Sequence, residues 1–206
     1  MITRKQLKIF EVFAKKPFAE YTRKRVKKEA GMKSNNTLAL TLNSLKKEGV
    51  LLEKKVGKSG LLTLNLDNEL TFYYIGLCNT NRISPLVKHA LIQLKEEITE
   101  FTPFYSLVIF GSYASGEQKR KSDLDVAIFI ENEGKRKRIE ASAQSAKLKA
   151  PIEMDVHVIP QAEMLEMLTG KEENLGKQIA RKHLAVYNHS IFYEIIKEGT
   201  RHGFRI

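Results

Sequence analysis

The sequence predicts an α+β protein made of two domains, and the location of charge is the first sign of this division. Residues 1–66 contain 16 lysines and arginines against 5 acidic residues, whereas residues 67–206 contain 19 of each. Helical spacing of apolar residues followed by two short strands fills the first part, and apolar strands alternate with helices in the second. We therefore expect domains at residues 1–66 and 84–206, joined by a linker at residues 67–83.

The composition limits the class of protein. Hydrophobic residues make up 42% of the 206 residues and charged residues 29%, which is ordinary for a folded soluble chain. No apolar run approaches the roughly 18–20 residues that would span a bilayer, and no signal peptide is evident. The single cysteine, Cys78, excludes an intramolecular disulfide and is expected to be buried. We expect a cytoplasmic protein without membrane association, and the sequence leaves its oligomeric state open.

Three helices are predicted in the first domain. The first covers residues 3–15 and stops before Pro17, and the second covers residues 22–30 and ends at Gly31. The third begins among the capping residues 34–37 and ends at Gly49. Its apolar face consists of Leu38, Leu42 and Leu45.

Two short strands, residues 50–56 and 61–66, follow around a Gly-bounded, Lys-containing turn. Three helices and a basic hairpin resemble the winged helix-turn-helix of many transcription factors. The resemblance implies that the third helix enters a DNA major groove while the hairpin lysines contact phosphates. The nucleic-acid-binding residues would be Asn36, Thr37, Asn43, Lys47, Lys54, Lys55 and Lys58. The alternative is a surface for protein contacts.

The second domain opens with a helix that Ser84-Pro85 starts and that presents Leu86, Ala90, Leu94 and Ile98 on one face. A buried strand at residues 106–110 then ends in Gly111-Ser112. Backbone N–H groups and a hydroxyl at such a turn suit a phosphate, and glycine permits a close approach. A P-loop is excluded, because Glu117-Gln118 occupies the positions of the required Lys-Ser/Thr pair.

A pair of carboxylates, Asp123 and Asp125, leads into a second apolar strand at residues 126–130. Residues two apart on a strand face the same side, so these carboxylates should project together and favour a bound magnesium ion. A third strand lies between Pro151 and Pro160. Asp155 and His157 should face away from its core side, with Glu153 as the second choice of carboxylate.

The pattern Gly111, Ser112, Gly116, Ser122, Asp123 and Asp125 resembles the signature of the DNA polymerase β-like nucleotidyltransferase superfamily, in its minimal nucleotidyltransferase form. The resemblance implies a small α/β domain with a mixed sheet flanked by helices. It assigns Asp123, Asp125 and Asp155 as catalytic residues that hold two Mg²⁺ ions, and Gly111 and Ser112 as nucleotide-binding residues. It further implies transfer of an NMP group from an NTP, with ATP expected, to an acceptor hydroxyl.

A second hypothesis treats the chain as a DNA-binding regulator or antitoxin. Its nucleotidyltransferase domain would then recognise or modify a partner toxin protein, for example a toxin of the helical ribonuclease type. The two hypotheses overlap if the enzyme adds AMP to its toxin. Neither the acceptor nor the DNA sequence preference follows from the sequence. The last predicted helix, which follows residues 187–189, is expected to pack against the core.

Overall fold

A computed structural model describes residues 2–57 and 59–206, so the predicted phosphate contact at Lys58 lies outside the described residues. The chain divides into two units, Met1–Cys78 and Asn79–Ile206. Across the described ranges, no helix is both long and apolar enough to cross a membrane.

The three helices predicted for the first unit are present. They are α1 (Arg4–Ala14), α2 (Arg23–Glu29) and α3 (Asn35–Lys47). Each begins after a hydroxyl residue, Thr3, Thr22 or Ser34, whose side-chain oxygen accepts a hydrogen bond from a backbone N–H in the first turn. The predicted apolar face of α3 is buried, with Leu38, Leu42 and Leu45 at most 4% exposed.

The hairpin predicted after α3 is also present, and it joins a third short strand. The strands are β1 (Tyr21–Thr22), β2 (Leu51–Val56) and β3 (Ser59–Leu64). They form an antiparallel sheet in the order β1-β3-β2, with Glu53 opposite Leu62 in the register of β2 and β3. Since β2 lies at the edge, most of its side chains are exposed.

Residues 67–83, predicted as a linker, contain helix α4 (Glu69–Arg82). Its interior side includes Tyr74, whose hydroxyl donates to Glu48 (2.8 Å) and whose ring meets Phe10 edge to face. Two of its buried positions, Thr71 and Asn79, carry polar side chains that are bonded to backbone carbonyls. The polar identity of these positions hides the helical periodicity from a hydrophobicity pattern. Cys78 is buried, as predicted.

The second unit contains a four-stranded mixed sheet in the order β6-β5-β4-β7. Its strands are β4 (Tyr105–Ile109), β5 (Leu124–Ile130), β6 (Met154–Pro160) and β7 (Leu184–Tyr187). β5 and β6 are parallel, whereas β4 pairs antiparallel with both β5 and β7. The predicted mixed sheet is confirmed, and nearly all residues of β4 and β5 are buried, as expected for central strands.

Six helices accompany this sheet. They are α5 (Pro85–Thr99), α6 (Gly111–Ser115), α7 (Arg136–Lys149), α8 (Gln161–Thr169), α9 (Leu175–Arg181) and α10 (His189–Arg201). A 3₁₀ turn, Glu133–Lys135, precedes α7. α10 buries Phe192, Tyr193, Ile195 and Ile196, which confirms that the last helix packs against the core.

The predicted apolar face of α5 was wrong at one residue. Leu86 is 56% exposed, whereas Val87 and Leu91 are buried beside Ala90, Leu94 and Ile98. A strict four-residue spacing drifts by about 40° per step around a helix of 3.6 residues per turn. The first member of that series therefore rotates out to solvent, and Val87 takes its place in the core.

Candidate functional site

The turn between β4 and α6 fixes the position of the Asp125 carboxylate. The Phe110 N–H donates to the Asp125 carbonyl (3.1 Å), which ties the end of β4 to the start of β5. Gly111 follows with φ +63°, and a Cβ at that position would collide with Asp125 Oδ2. Both its conformation and its contact with Asp125 require glycine here. The sequence predicted a close approach of a ligand to Gly111, and the structure adds a close approach of Asp125 itself.

The ten residues between Ser112 and Asp123 form a short return path rather than a long loop. α6 ends at Gly116, which has φ +79°, and the Glu117 N–H donates back to the Ser112 carbonyl (2.9 Å). A tight turn then closes when the Ser122 N–H donates to the Lys119 carbonyl (3.0 Å). This path returns the chain to the sheet beside the strand that it left.

Two of the three predicted carboxylates lie on paired strands. Asp125 on β5 lies opposite Asp155 on β6 in the parallel register, and Asp123 is exposed just before β5 begins. Burial raises the pKa of Asp125, and the negative charges of Asp155 and Asp123 raise it further. A hydrogen bond from the backbone N–H of Ser112 acts in the opposite direction and favours the ionised form. Asp123 and Asp155 therefore both repel the ionised carboxylate of Asp125.

Asp155 has a second partner on its own strand. Its Oδ2 lies 3.0 Å from Nε2 of His157, and the His157 ring is 5.7 Å from the ring of Phe110. The predicted common face of Asp155 and His157 is therefore present. Glu153, the second choice of third carboxylate, is exposed and precedes β6.

The three predicted magnesium ligands carry the same kind of donor atom. Asp123, Asp125 and Asp155 offer only carboxylate oxygens, the ligand type that magnesium prefers, and their mutual repulsion would be relieved by a cation. Among residues 2–57 and 59–206, no three His, Cys, Asp or Glu side chains are already grouped as a metal-holding cluster. The donor chemistry fits magnesium, while the three carboxylates would have to draw together around it.

A cleft of about 610 Å³ includes Asp125 in its lining. One side is formed by the β4–α6 turn with Asp125, and the other by the end of α9. The lining residues are Phe110, Gly111, Ser112, Ser115, Glu117, Asp125, Gln178, Arg181 and Lys182. Asp123 and Asp155 are not among them. The cleft thus has an acidic side and a basic side, and these charges suit a polyanion held together with a cation.

The basic side of the cleft was missed by the sequence reasoning. Gln178, Arg181 and Lys182 lie more than 50 residues after Asp125, and no spacing rule connects them with it. The Arg181-Lys182 pair immediately before an apolar strand was the available signal. In the structure Arg181 is paired with Glu173 (2.6 Å), whereas Lys182 is exposed and forms no ion pair with any described residue.

α9 is held firmly on α8, which fixes the basic side of the cleft. Asn174 caps its first turn, and a Cβ at Gly176 would lie 2.7 Å from Cβ of Met167, so the two helices are in close contact. Lys177 is only 7% exposed, and its Nζ donates to the carbonyls of Gly170 (2.5 Å) and Glu172 (2.7 Å). The buried lysine thereby stabilises the α8–α9 connection.

His183 closes the C-terminal end of α9. Its Nδ1 lies 3.1 Å from the carbonyl oxygens of both Ile179 and Ala180, so Nδ1 must carry the proton and donate. Nε2 then accepts from the Tyr193 hydroxyl (3.1 Å) on α10. Burial lowers the pKa of His183 to about 4, and the imidazole is therefore neutral near pH 7. This histidine thereby links α9 to α10.

The residues predicted to contact nucleic acid lie at the surface of the first unit. On α3, Asn36, Asn43 and Lys47 are exposed, while Thr37 is half-buried. On β2, Lys54 and Lys55 are exposed. Because successive residues of a strand point to opposite faces, these two lysines lie on opposite faces of the hairpin.

Two comparisons with known proteins bear on the second unit. Residues 91–186 match the family model of the nucleotidyltransferase domain, a stretch that includes β4, the three carboxylates and the basic end of α9. A protein of Methanocaldococcus jannaschii named "Putative protein adenylyltransferase MJ1215" is 45% identical over 42 residues. That match covers 20% of this chain and 49% of the other protein, so it spans about half of the relative's length. Residues 91–186 of the second unit are therefore similar in sequence to a nucleotidyltransferase domain.

Proposed function

We propose that this protein transfers an AMP group from ATP to a hydroxyl group of a protein acceptor. The observation that carries the proposal is the cleft in which Gly111 and Asp125 face the cations Arg181 and Lys182. The match of residues 91–186 to the nucleotidyltransferase domain supports the reaction class. The choice of ATP and of a protein acceptor follows the name of the partial relative, a protein adenylyltransferase.

In the proposed reaction, the acceptor oxygen forms a bond to the α-phosphorus of ATP. The bond between that phosphorus and the bridging oxygen of the β-phosphate breaks, and pyrophosphate leaves with the electron pair. The acceptor proton passes toward the Asp155 carboxylate, which His157 orients through its hydrogen bond. The protein contributes placement and charge compensation rather than a covalent intermediate.

The triphosphate would lie between the two sides of the cleft. On one side, the Gly111 backbone and the Ser112 hydroxyl, which both line the cleft, would donate hydrogen bonds to its terminal phosphates. On the other side, Arg181 and Lys182 offset its negative charge, which also compensates for Glu117 in the lining. We assign Asp123 and Asp125 to the triphosphate side and Asp155 to the acceptor side of a two-magnesium site. When bound, magnesium would neutralise phosphate charge and favour ionisation of the acceptor hydroxyl.

A labelled-transfer experiment tests this function. The full chain would be incubated with magnesium and each of the four α-³²P NTPs in a cell extract, and labelled macromolecules would be separated by electrophoresis. We expect ATP to label one protein band, and Asp125→Asn to abolish the label. Glu166→Gln is the matched control, because it neutralises an exposed carboxylate on α8 that does not line the cleft. Label on nucleic acid instead of protein would contradict the proposed acceptor.

We also propose that residues 1–66 form a winged helix that binds duplex DNA. The three capped helices, the β2–β3 hairpin and the 16 lysines and arginines against 5 acidic residues support this assignment. α3 would enter the major groove, and Lys54, Lys55 and Lys58 would contact phosphates. This unit would bring the transferase to DNA, or it would regulate expression of the gene that encodes the protein.

A partner toxin protein is the acceptor that would combine both units in one regulatory system. A DNA-binding antitoxin that silences its toxin by adding AMP requires a DNA-binding unit and a protein adenylyltransferase in one chain. Co-expression with a candidate helical toxin tests this, because AMP addition raises the toxin mass by one adenylyl group. A toxin that is neutralised without any change in mass would restrict the role to binding.

A further inference from the structure

The exposed face of α3 carries one unbroken row of side chains directed away from the core. The positions follow the helical repeat i, i+4, i+7 and i+11 and lie opposite the buried leucines of the same helix. The members of this row are Asn36, Leu40, Asn43 and Lys47, all of them exposed. The row forms one continuous strip along the helix.

Leu40 is the unusual member of the row. Its side chain is 63% exposed, although it lies near the middle of a well-packed helix and between two asparagines. Neither the core of the unit nor its hairpin provides a contact that removes this leucine from water. An apolar side chain in a polar strip suits a surface that meets a partner with alternating polar and apolar groups.

The polar members of the row have free hydrogen-bonding groups. The side chains of Asn36, Asn43 and Lys47 make no hydrogen bond or ion pair with any residue that the structure describes. Side chains just beside the row are engaged, since Ser44 donates to Glu48 (2.9 Å) and Lys46 pairs with Glu53 (2.6 Å). The difference leaves the donors and acceptors of the row available to a ligand.

We propose that this row reads adenine–thymine base pairs in the DNA major groove, with Leu40 as a specificity-determining residue for thymine. The inference rests on the proposed DNA binding by the first unit. An asparagine side chain matches the N6 donor and N7 acceptor of adenine, and an apolar side chain favours the 5-methyl group of thymine. Lys47, at the far end of the row, is placed for a phosphate.

The spacing along α3 sets the arrangement of the bases. Asn36 and Asn43 are seven residues apart, roughly 10 Å along a helix that rises about 1.5 Å per residue. For a helix aligned with the groove, this corresponds to about three base-pair steps of 3.4 Å. Leu40 lies between the two asparagines on the helix. The thymine that it contacts should therefore lie between the two adenines that the asparagines contact, or on the opposite strand, facing one of those adenines.

The test measures what the thymine methyl group contributes to binding. Sites for the full chain would first be selected from random duplexes, and each selected thymine would then be replaced by deoxyuridine, which removes only the methyl group. Binding would be measured by fluorescence anisotropy. At one selected thymine we expect affinity to fall about fourfold, the effect of withdrawing one buried methyl from apolar contact.

Leu40→Ala should bind thymine and deoxyuridine duplexes equally, while Leu52→Ala should keep the wild-type discrimination. Leu52 is the matched control, because it is also exposed (52%) but lies on β2. Both positions are at the surface, so both variants should fold, which circular dichroism would verify.

Two kinds of outcome would overturn the inference, and they differ in whether they also refute the proposed DNA binding. Thymine readout is refuted if the wild-type protein binds thymine and deoxyuridine duplexes with equal affinity. It is also refuted if the Leu40→Ala variant keeps the difference in affinity. Either result leaves the proposed DNA binding intact. Wild-type protein that binds no duplex at low salt refutes the proposed DNA binding as well.

Discussion

Protonation of His183 should destabilise the second unit in acid, and the structure gives the sign and size of the effect. The native pKa of His183 is about 4 against an ordinary value of 6.5, because the imidazole is buried. The unfolded chain therefore binds the proton first as the pH falls. The contribution of the neutral imidazole to the free energy of unfolding is complete above pH 6.5. It decreases as the pH falls below that value and is lost by about pH 4.

The size of this loss follows from the pKa difference. One pKa unit corresponds to about 1.4 kcal/mol, so His183 alone should lower the free energy of unfolding by about 2 kcal/mol between pH 7 and pH 5. Burial also lowers the pKa of His189 to about 4, and this second histidine adds a loss of the same sign. The α9 end that carries Arg181 should therefore be among the first parts to loosen in acid.

Urea denaturation of the full chain at pH 7 and pH 5, followed by circular dichroism, would measure the effect. His183→Gln cannot take up the proton, so its stability should change by about 2 kcal/mol less than that of wild type over this range, whatever its stability at pH 7. His89→Gln removes an exposed histidine and should behave as wild type. An NMR titration that places the pKa of His183 near 6.5, or an equal pH effect in His183→Gln, would refute the reasoning.

The remaining predictions concern the two proposed binding surfaces. Ser112→Ala should weaken ATP binding by roughly 1 kcal/mol, the net contribution of one hydrogen bond. Gly111→Val should weaken it far more, because the added side chain would displace Asp125. Titration calorimetry would measure both losses of affinity, and equal losses would contradict the geometry of the turn. Asp155→Asn should leave affinity for a non-hydrolysable ATP analogue within a few-fold of wild type but slow labelled transfer by about 10²–10⁴, and near-normal transfer would mean that another carboxylate serves the acceptor. Replacing both Lys54 and Lys55 with Ala should flatten the salt dependence of DNA affinity measured by anisotropy, and an unchanged slope would show that the hairpin does not touch phosphates.

Local signals in the sequence predicted most of the elements and much of the acidic side of the cleft. Helix starts at Thr3, Thr22 and Ser34 depend on a single capping residue, and the strands around Asp125 depend on uninterrupted apolar runs. Such features need only a few neighbouring residues, so one sequence is enough to show them. The facing of Asp125 and Asp155 does not follow from either strand alone. Asp155 was assigned through the family resemblance, and the parallel pairing of the two strands is a finding of the structure.

The parts that the sequence did not reveal depend on contacts between distant residues or on polar residues in buried positions. Arg181 and Lys182 reach the cleft only because β7 pairs with β4 and brings the end of α9 beside the Gly111 turn. Helix α4 escaped notice because Thr71 and Asn79 occupy interior positions and satisfy their polar groups with backbone carbonyls. Patterns of hydrophobicity carry neither kind of information.

The parallel pairing of β5 with β6 determines when the carboxylates can come together during synthesis. A growing chain that has emerged as far as β5 already contains Gly111 and Asp125, yet Asp155 follows only after the whole of α7. Pairing therefore waits for the crossover helix to fold and for β6 to dock, a non-local step. The cations at the end of α9 arrive later still. An unfinished or truncated chain therefore lacks part of the proposed site, and the cell meets the proposed transferase only once its second unit is complete.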